Sequence, residues 1–181
     1  MKLEEHPAGQ NVLYLRQGVA LLRRLDDEAY RRSPGGPFRG GVGSQLRHCI
    51  DFYGCFLRGL DGGRIDYNSR DRDPRVEVDR EHAERTLDQL SEALGRLDPM
   101  QVDRAVEVRG DTDDPARPEA GWSGSTVHRE LQFLLSHTTH HYALIVALLA
   151  QQGFDLGAEF AEFGVAPSTL RHWDEVGQTA G

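Results

Sequence analysis

Apolar residues recur at helical spacing in four separate stretches of the chain. The first runs from about Gln10 to Arg32, where Val12, Leu13, Leu15, Val19, Leu22 and Leu25 share one side of a helix. Ser33-Pro34-Gly35-Gly36-Pro37 ends it. The second starts at Val42 or Ser44 and reaches Leu60, carrying Leu46, Ile50, Tyr53 and Leu57 inward, with Gly62-Gly63 as the stop. A polar loop is expected from Asp61 to about Val78. Asp79 then reads as an N-cap, and Glu81 and Glu84 suit the first turn of a third helix. That helix carries Ala83, Leu87, Leu90, Leu94 and Leu97 and ends before Pro99. The fourth and longest is capped by Ser125 or Thr126 and continues to Gly153.

Between the third and fourth helices the pattern changes. Val102, Ala105, Val106 and Val108, within Met100 to Arg109, predict one or two short strands. Asp111 to Gly124 holds two prolines and several acids and predicts a loop. A tail follows with Phe154, Phe160 and Phe163, and with Ser168 as the cap of a short final turn. The fold class is all-α: an antiparallel four-helix bundle with a short β-hairpin insertion between helices 3 and 4. One domain is expected over residues 1–181, with the bundle at about 10–153 and the tail at 154–181.

Composition narrows the functions. The 181 residues are 38% apolar and 28% charged, ordinary for one globular domain with a sizeable core. A net charge of −8 argues against a general affinity for nucleic acid or an anionic membrane. Met1-Lys2-Leu3-Glu4-Glu5-His6-Pro7 lacks the apolar run of a secretory signal. The longest unbroken apolar run, Ala143 to Ala150, is far short of the ~20 residues of a membrane span. Cys49 and Cys55 lie six apart on one helix, ~9 Å between Cα atoms and too far for a disulfide. A cytoplasmic, reduced protein is expected.

The chemistry concentrates at Ser136-His137-Thr138-Thr139-His140-His141. His137 and His141 are four apart and project from one side of a helix, a spacing at which two imidazoles can grip one divalent cation. On the helical wheel both flank the stripe of Leu131, Leu134, Leu135, Tyr142, Ile145 and Leu149, while His140 points away. The bland reading is a pair of boundary histidines satisfied by hydrogen bonds. A third ligand has to come from His6, His48, His82, His128 or His172. His48 sits in the second helix, but off its main apolar stripe, together with Asp51, Phe52 and Cys55. Either that helix buries two faces or His48 is exposed.

Leu46-Arg47-His48-Cys49-Ile50-Asp51-Phe52-Tyr53, followed by Glu130-Leu131-Gln132-Phe133 and His137-Thr138-Thr139-His140-His141, resembles the DinB-like superfamily over residues 10 to 153. These are bacterial four-helix-bundle proteins with a three-histidine metal centre. The resemblance implies a divalent metal, zinc or nickel and then iron, held by His48, His137 and His141. It also implies a homodimer, and a metal-dependent enzyme of thiol S-transferase or hydrolase type. Characterised relatives use low-molecular-weight thiols such as bacillithiol or mycothiol. The alternative is a non-catalytic metal-binding or structural helical dimer. Three imidazoles leave an open coordination position that can take water or a thiolate, or polarise a carbonyl. Around the triad, Asp51 is a candidate to orient His48, and Glu130 to complement the helix dipole or support the site. Arg70, Arg72 and Arg75 are candidates to cover the site and bind an anion, against the simpler reading of solvated loop charges. Cys55 reads as a small buried apolar residue.

Overall fold

The first apolar stripe makes two helices. Helix α1 (Gly9–Arg24) ends at Leu25, which turns to extended backbone. The Asp26 carboxylate then accepts from Ala29 N–H at 2.7 Å and starts α2 (Asp27–Arg31), with Asp27 and Glu28 in its first turn. An aspartate offering its own side chain to the backbone competes with helix continuation, so the single helix expected from Gln10 to Arg32 breaks there. The computed structural model describes residues 6–33, 35, 40–110 and 121–179, so Pro34, Gly36 and Pro37 of the expected stop lie outside it.

Helix α3 (Val42–Leu60) keeps the bounds its pattern suggested, and it buries more than one face. Leu46, Ile50, Tyr53 and Leu60 are buried on its main stripe, and Asp51, Phe52 and Cys55 are buried beside it. The expected loop from Asp61 to Val78 contains β1 (Arg64–Asp66) and the short α4 (Arg75–Val78). A three-residue strand with one buried side chain, Ile65, leaves no alternation to read. Gly59 allows this strand to pass against α3: a Cβ there would meet the Arg64 carbonyl oxygen and lie 2.7 Å from Ile65 Cα.

Asp79 caps α5 (Arg80–Gly95), accepting from His82 N–H at 2.9 Å. A 3-10 turn at Pro99–Gln101 leads to β2 (Ala105–Arg109), so the stretch from Met100 holds one strand. Antiparallel to it runs β3 (Trp122–Thr126), in register from Ala105 opposite Thr126 to Arg109 opposite Trp122. Trp122 to Gly124, expected as loop, are therefore strand; the remainder of that loop, 111–120, lies outside the described residues. Strand β1 joins β2 in parallel on its other edge. Thr126 caps α6 (Val127–Gln151), accepting from Arg129 N–H at 3.2 Å. The tail ends in α7 (Pro167–Thr179), a full helix where a short turn was expected. Ser168 lies inside it; Pro167 holds the first helical position, where a missing N–H costs nothing.

The chain is thus mostly helical with a small three-stranded sheet. Helix α1 packs on α5 and α6, and α3 packs on the same two, closing a ring around the core. Tyr30, Tyr53, Tyr142, Phe56, Leu22, Leu46, Leu87 and Leu134 are fully buried there, each such apolar side chain contributing roughly 1.5–3 kcal/mol. The buried tyrosines keep partners: Tyr53 donates to Asn11 Oδ1 at 2.8 Å and Tyr142 to the Tyr14 carbonyl at 3.0 Å. In the tail Phe163 stacks on Tyr142 with centroids 4.4 Å apart, and Gly164, at φ +74°, comes close to the backbone of Ala143. By length and apolar content α6 alone among the described residues passes for a membrane span. Here its apolar face packs on α3 and α1 as a core helix does.

Candidate metal centre

Helix α6 presents His137 and His141 one turn apart toward α3, which supplies His48. The three rings form a triangle, with centroids 4.9 Å (His48 to His137), 4.6 Å (His48 to His141) and 4.6 Å (His137 to His141) apart. One ring nitrogen from each lies within 4.8 Å of the others. All three side chains are half-buried. His48 faces this cluster because α3 buries the side that also carries Asp51, Phe52 and Cys55.

The electrostatics favour neutral imidazoles at His137 and His141, which is the metal-binding form. Burial pushes His137 down to about 3, helped by the neighbouring His141, His48 and His140 and by the charge of Arg70. Burial also lowers His141 to about 4, again with His48 and His140 contributing. The Gln45 amide oxygen accepts from His141 Nδ1 at 2.7 Å, which puts the proton on Nδ1 and leaves Nε2 as the donor atom. His137 Nδ1 is buried with no hydrogen-bond partner among the described residues. A buried polar atom in that condition is costly unless something else satisfies it, and a cation does so. The donor set therefore fits a divalent metal: His48, His137 and His141 are close enough together to hold one.

The model of the DinB superfamily matches residues 16–145. The chain belongs to the DinB superfamily. It is also 30% identical over 108 residues to FK506-binding protein 5 of the fungus Rhizopus delemar. That match covers 60% of this chain and 27% of the relative, so the chain spans about a quarter of the length of the curated protein it matches. No solved structure matches.

The other histidines of this DinB-superfamily chain lie elsewhere. His140 is exposed, as its place on the wheel indicated. His128 is exposed beside Gln132, His82 pairs with Asp73 at 3.0 Å, and His172 is exposed. His6 is buried, but its ring is used by the Ala8 N–H and the Leu97 carbonyl. Around the triangle stands an aromatic wall. The Phe52 ring is 4.2 Å from His137, Phe133 stacks on His137 at 5.6 Å, and Tyr67 packs on both phenylalanines.

The supporting residues differ in part from expectation. Glu130 stands in the first turn of α6, as expected, and is buried: it accepts from Tyr67 at 2.8 Å and from Ser125 Oγ at 2.5 Å. Burial and then the Glu130 charge hold the Tyr67 hydroxyl well above its ordinary value. Asp51 is buried and accepts from the Arg72 N–H at 3.0 Å and from Arg47 at 3.4 Å. Cys55 is the small buried residue expected; burial pushes its thiol up to about 11, and it donates to the Ser69 carbonyl. Of the three loop arginines, Arg70 reaches the site, while Arg72 and Arg75 are exposed. Gln45 had no sequence signal: it matters through His141, 96 positions away.

Proposed function

We propose that this chain is an antiparallel four-helix bundle, built on α1, α3, α5 and α6, that holds a divalent cation through His48, His137 and His141. In this reading it is a metal-dependent enzyme of thiol S-transferase or hydrolase type. One observation carries it: three imidazoles from two helices converge within 4.8 Å, and no cysteine or carboxylate joins the group among the described residues. Structural zinc sites are closed by four protein ligands, usually with cysteine, whereas three histidines leave the open position of a catalytic site.

A divalent cation so held supplies a Lewis acid and a place for water, a thiol or a carbonyl oxygen. Nitrogen donors suit zinc, nickel or iron. The chain's own residues do the rest. Burial keeps His137 and His141 neutral, Gln45 fixes which nitrogen of His141 faces inward, and Phe52, Phe133 and Tyr67 wall the site from bulk water. A homodimer and a low-molecular-weight thiol partner belong to the same reading.

Purification without chelator followed by elemental analysis tests it. The expected content is about one metal ion per chain, falling to background in His48→Ala, His137→Ala and His141→Ala while circular dichroism stays helical. Sub-stoichiometric metal in the unaltered protein, or unchanged content in the variants, overturns the reading.

A further inference from the structure

Two of the three imidazoles are oriented in different ways. Gln45 sets the ring of His141 through its Nδ1. His137 Nδ1 is buried, and among the described residues no hydrogen bond holds it. Metal-binding histidines ordinarily owe their ring orientation to such a bond. Two phenylalanines pack on the His137 ring instead. Phe52 lies 4.2 Å from it, tilted by 36°, and Phe133 stacks on it at 5.6 Å, within 24° of parallel. Phe52 also flanks His48 at 4.9 Å.

Tyr67 backs both phenylalanines, stacked on Phe52 at 5.1 Å and tilted against Phe133 at 5.4 Å. It is held at both ends. Its N–H donates to the Arg109 carbonyl at 3.0 Å, one step past the pairing of β1 with β2. Its hydroxyl donates to Glu130 Oε2 at 2.8 Å, and Ser125 Oγ, from β3, donates to Oε1 at 2.5 Å. Tyr67 and Glu130 are 3% and 5% exposed, so this charge-assisted bond is shielded from water and correspondingly strong. Glu130 stands on α6 two turns before His137, and so joins the sheet to the helix that carries two of the ligands. A carboxylate buried there costs more than an apolar residue of its size would, which points to a task beyond filling the core.

We propose that Glu130 and Tyr67 are positioning residues of the metal centre: their hydrogen bond fixes the wall of Phe52 and Phe133, and that wall sets the His137 ring toward the cation. The proposal rests on the metal reading above and adds to it how one of the three ligands is held. Neither residue is a ligand, and both act through the rings between them and His137. The small sheet gains a role in this arrangement. Strands β1 and β2 place the Tyr67 main chain and β3 supplies Ser125, so the sheet braces the triad without touching the ion. Burial first, and the Glu130 charge second, keep the Tyr67 hydroxyl protonated and therefore a donor. Loss of that tie frees the Tyr67 ring, lets both phenylalanines shift, and moves the His137 ring with them.

Cobalt(II) binding, measured by competition with a chelating indicator, reads the centre without turnover. Tyr67→Phe keeps the ring and its stacking but removes the hydroxyl; Glu130→Ala removes the acceptor; Glu130→Gln keeps an oxygen for Tyr67. Affinity is expected to fall by about tenfold in Tyr67→Phe and in Glu130→Ala, the lower end of the range for a lost supporting partner. It should be largely kept in Glu130→Gln. The Tyr67→Phe/Glu130→Ala double variant should bind no worse than either single one, because both break the same link. Tyr30→Phe is the control: Tyr30, fully buried on α2, donates to the Val76 carbonyl, so its loss lowers the urea midpoint while cobalt affinity stays. Ser125→Ala, which loosens Glu130 from its other side and is expected to weaken binding too, decides the matter if Tyr67→Phe does not fold. Unchanged affinity in the folded one of these two variants, or an equal loss in Tyr30→Phe, overturns the positioning role alone. Failure of the unaltered protein to bind cobalt overturns the metal reading beneath it.

Discussion

Gln45 lies one turn before His48 on α3 and reaches across to α6, where its amide oxygen takes the Nδ1 proton of His141. Partners of this kind fix ring orientation and ligand basicity, and their loss typically costs about 10–100-fold in metal affinity. Gln45→Ala is accordingly expected to weaken binding by that factor, measured by competition with a chelating indicator, while Gln45→Glu, which keeps an acceptor, retains most of it. Equal affinity in the alanine variant would show that His141 needs no such partner. The sequence does not single out Gln45, because a polar residue near a helix start is ordinarily solvated. His137 and His141 were legible because four-residue spacing fixes their side within one helix. His48 was legible only through the family resemblance. Its wheel position left two readings open, a second buried face or exposure, and the packing that buries that face comes in part from residues 67–72 of the following connection.

Among the elements, long helices were legible and short connectors were not. The bounds of α3 and the caps at Asp79 and Thr126 follow from local chemistry that any chain would share. Strand β3, by contrast, has the sequence Trp-Ser-Gly-Ser-Thr, which carries little strand propensity; its ladder with β2 creates it. Trp122 adds a further hold, with the Arg64 guanidinium 4.0 Å from its ring. The crossing of β1 over α3 depends on Gly59, where an added methyl would press on the backbone of Arg64 and Ile65. Gly59→Ala is therefore expected to destabilise the protein by about 1–3 kcal/mol, the usual cost of overpacking. Urea denaturation reads this directly, and a midpoint equal to that of the unaltered protein would show that the strand can shift away freely.

At the scale of the whole molecule, the histidine cluster couples folding to pH. In the metal-stripped protein His137 and His141 are held down at about 3 and about 4, by burial first and by neighbouring imidazoles second. In the unfolded chain both titrate near 6.5. Between those values the unfolded chain binds more protons, so stability is complete above about pH 6.5 and declines as the pH falls toward 4. Urea midpoints of chelator-treated protein at about pH 7 and about pH 5 should differ in that direction, and less so in a His137→Ala/His141→Ala double variant; identical midpoints at the two pH values would contradict the coupling. The rings of the triad stand on helices packed into the interior, yet the short crossover between β1 and α4 beside them, past the buried Tyr67, is held by a few polar ties. Substitutions there can accumulate without loosening the core, so the rim of the histidine cluster is free to diverge while the cluster itself stays.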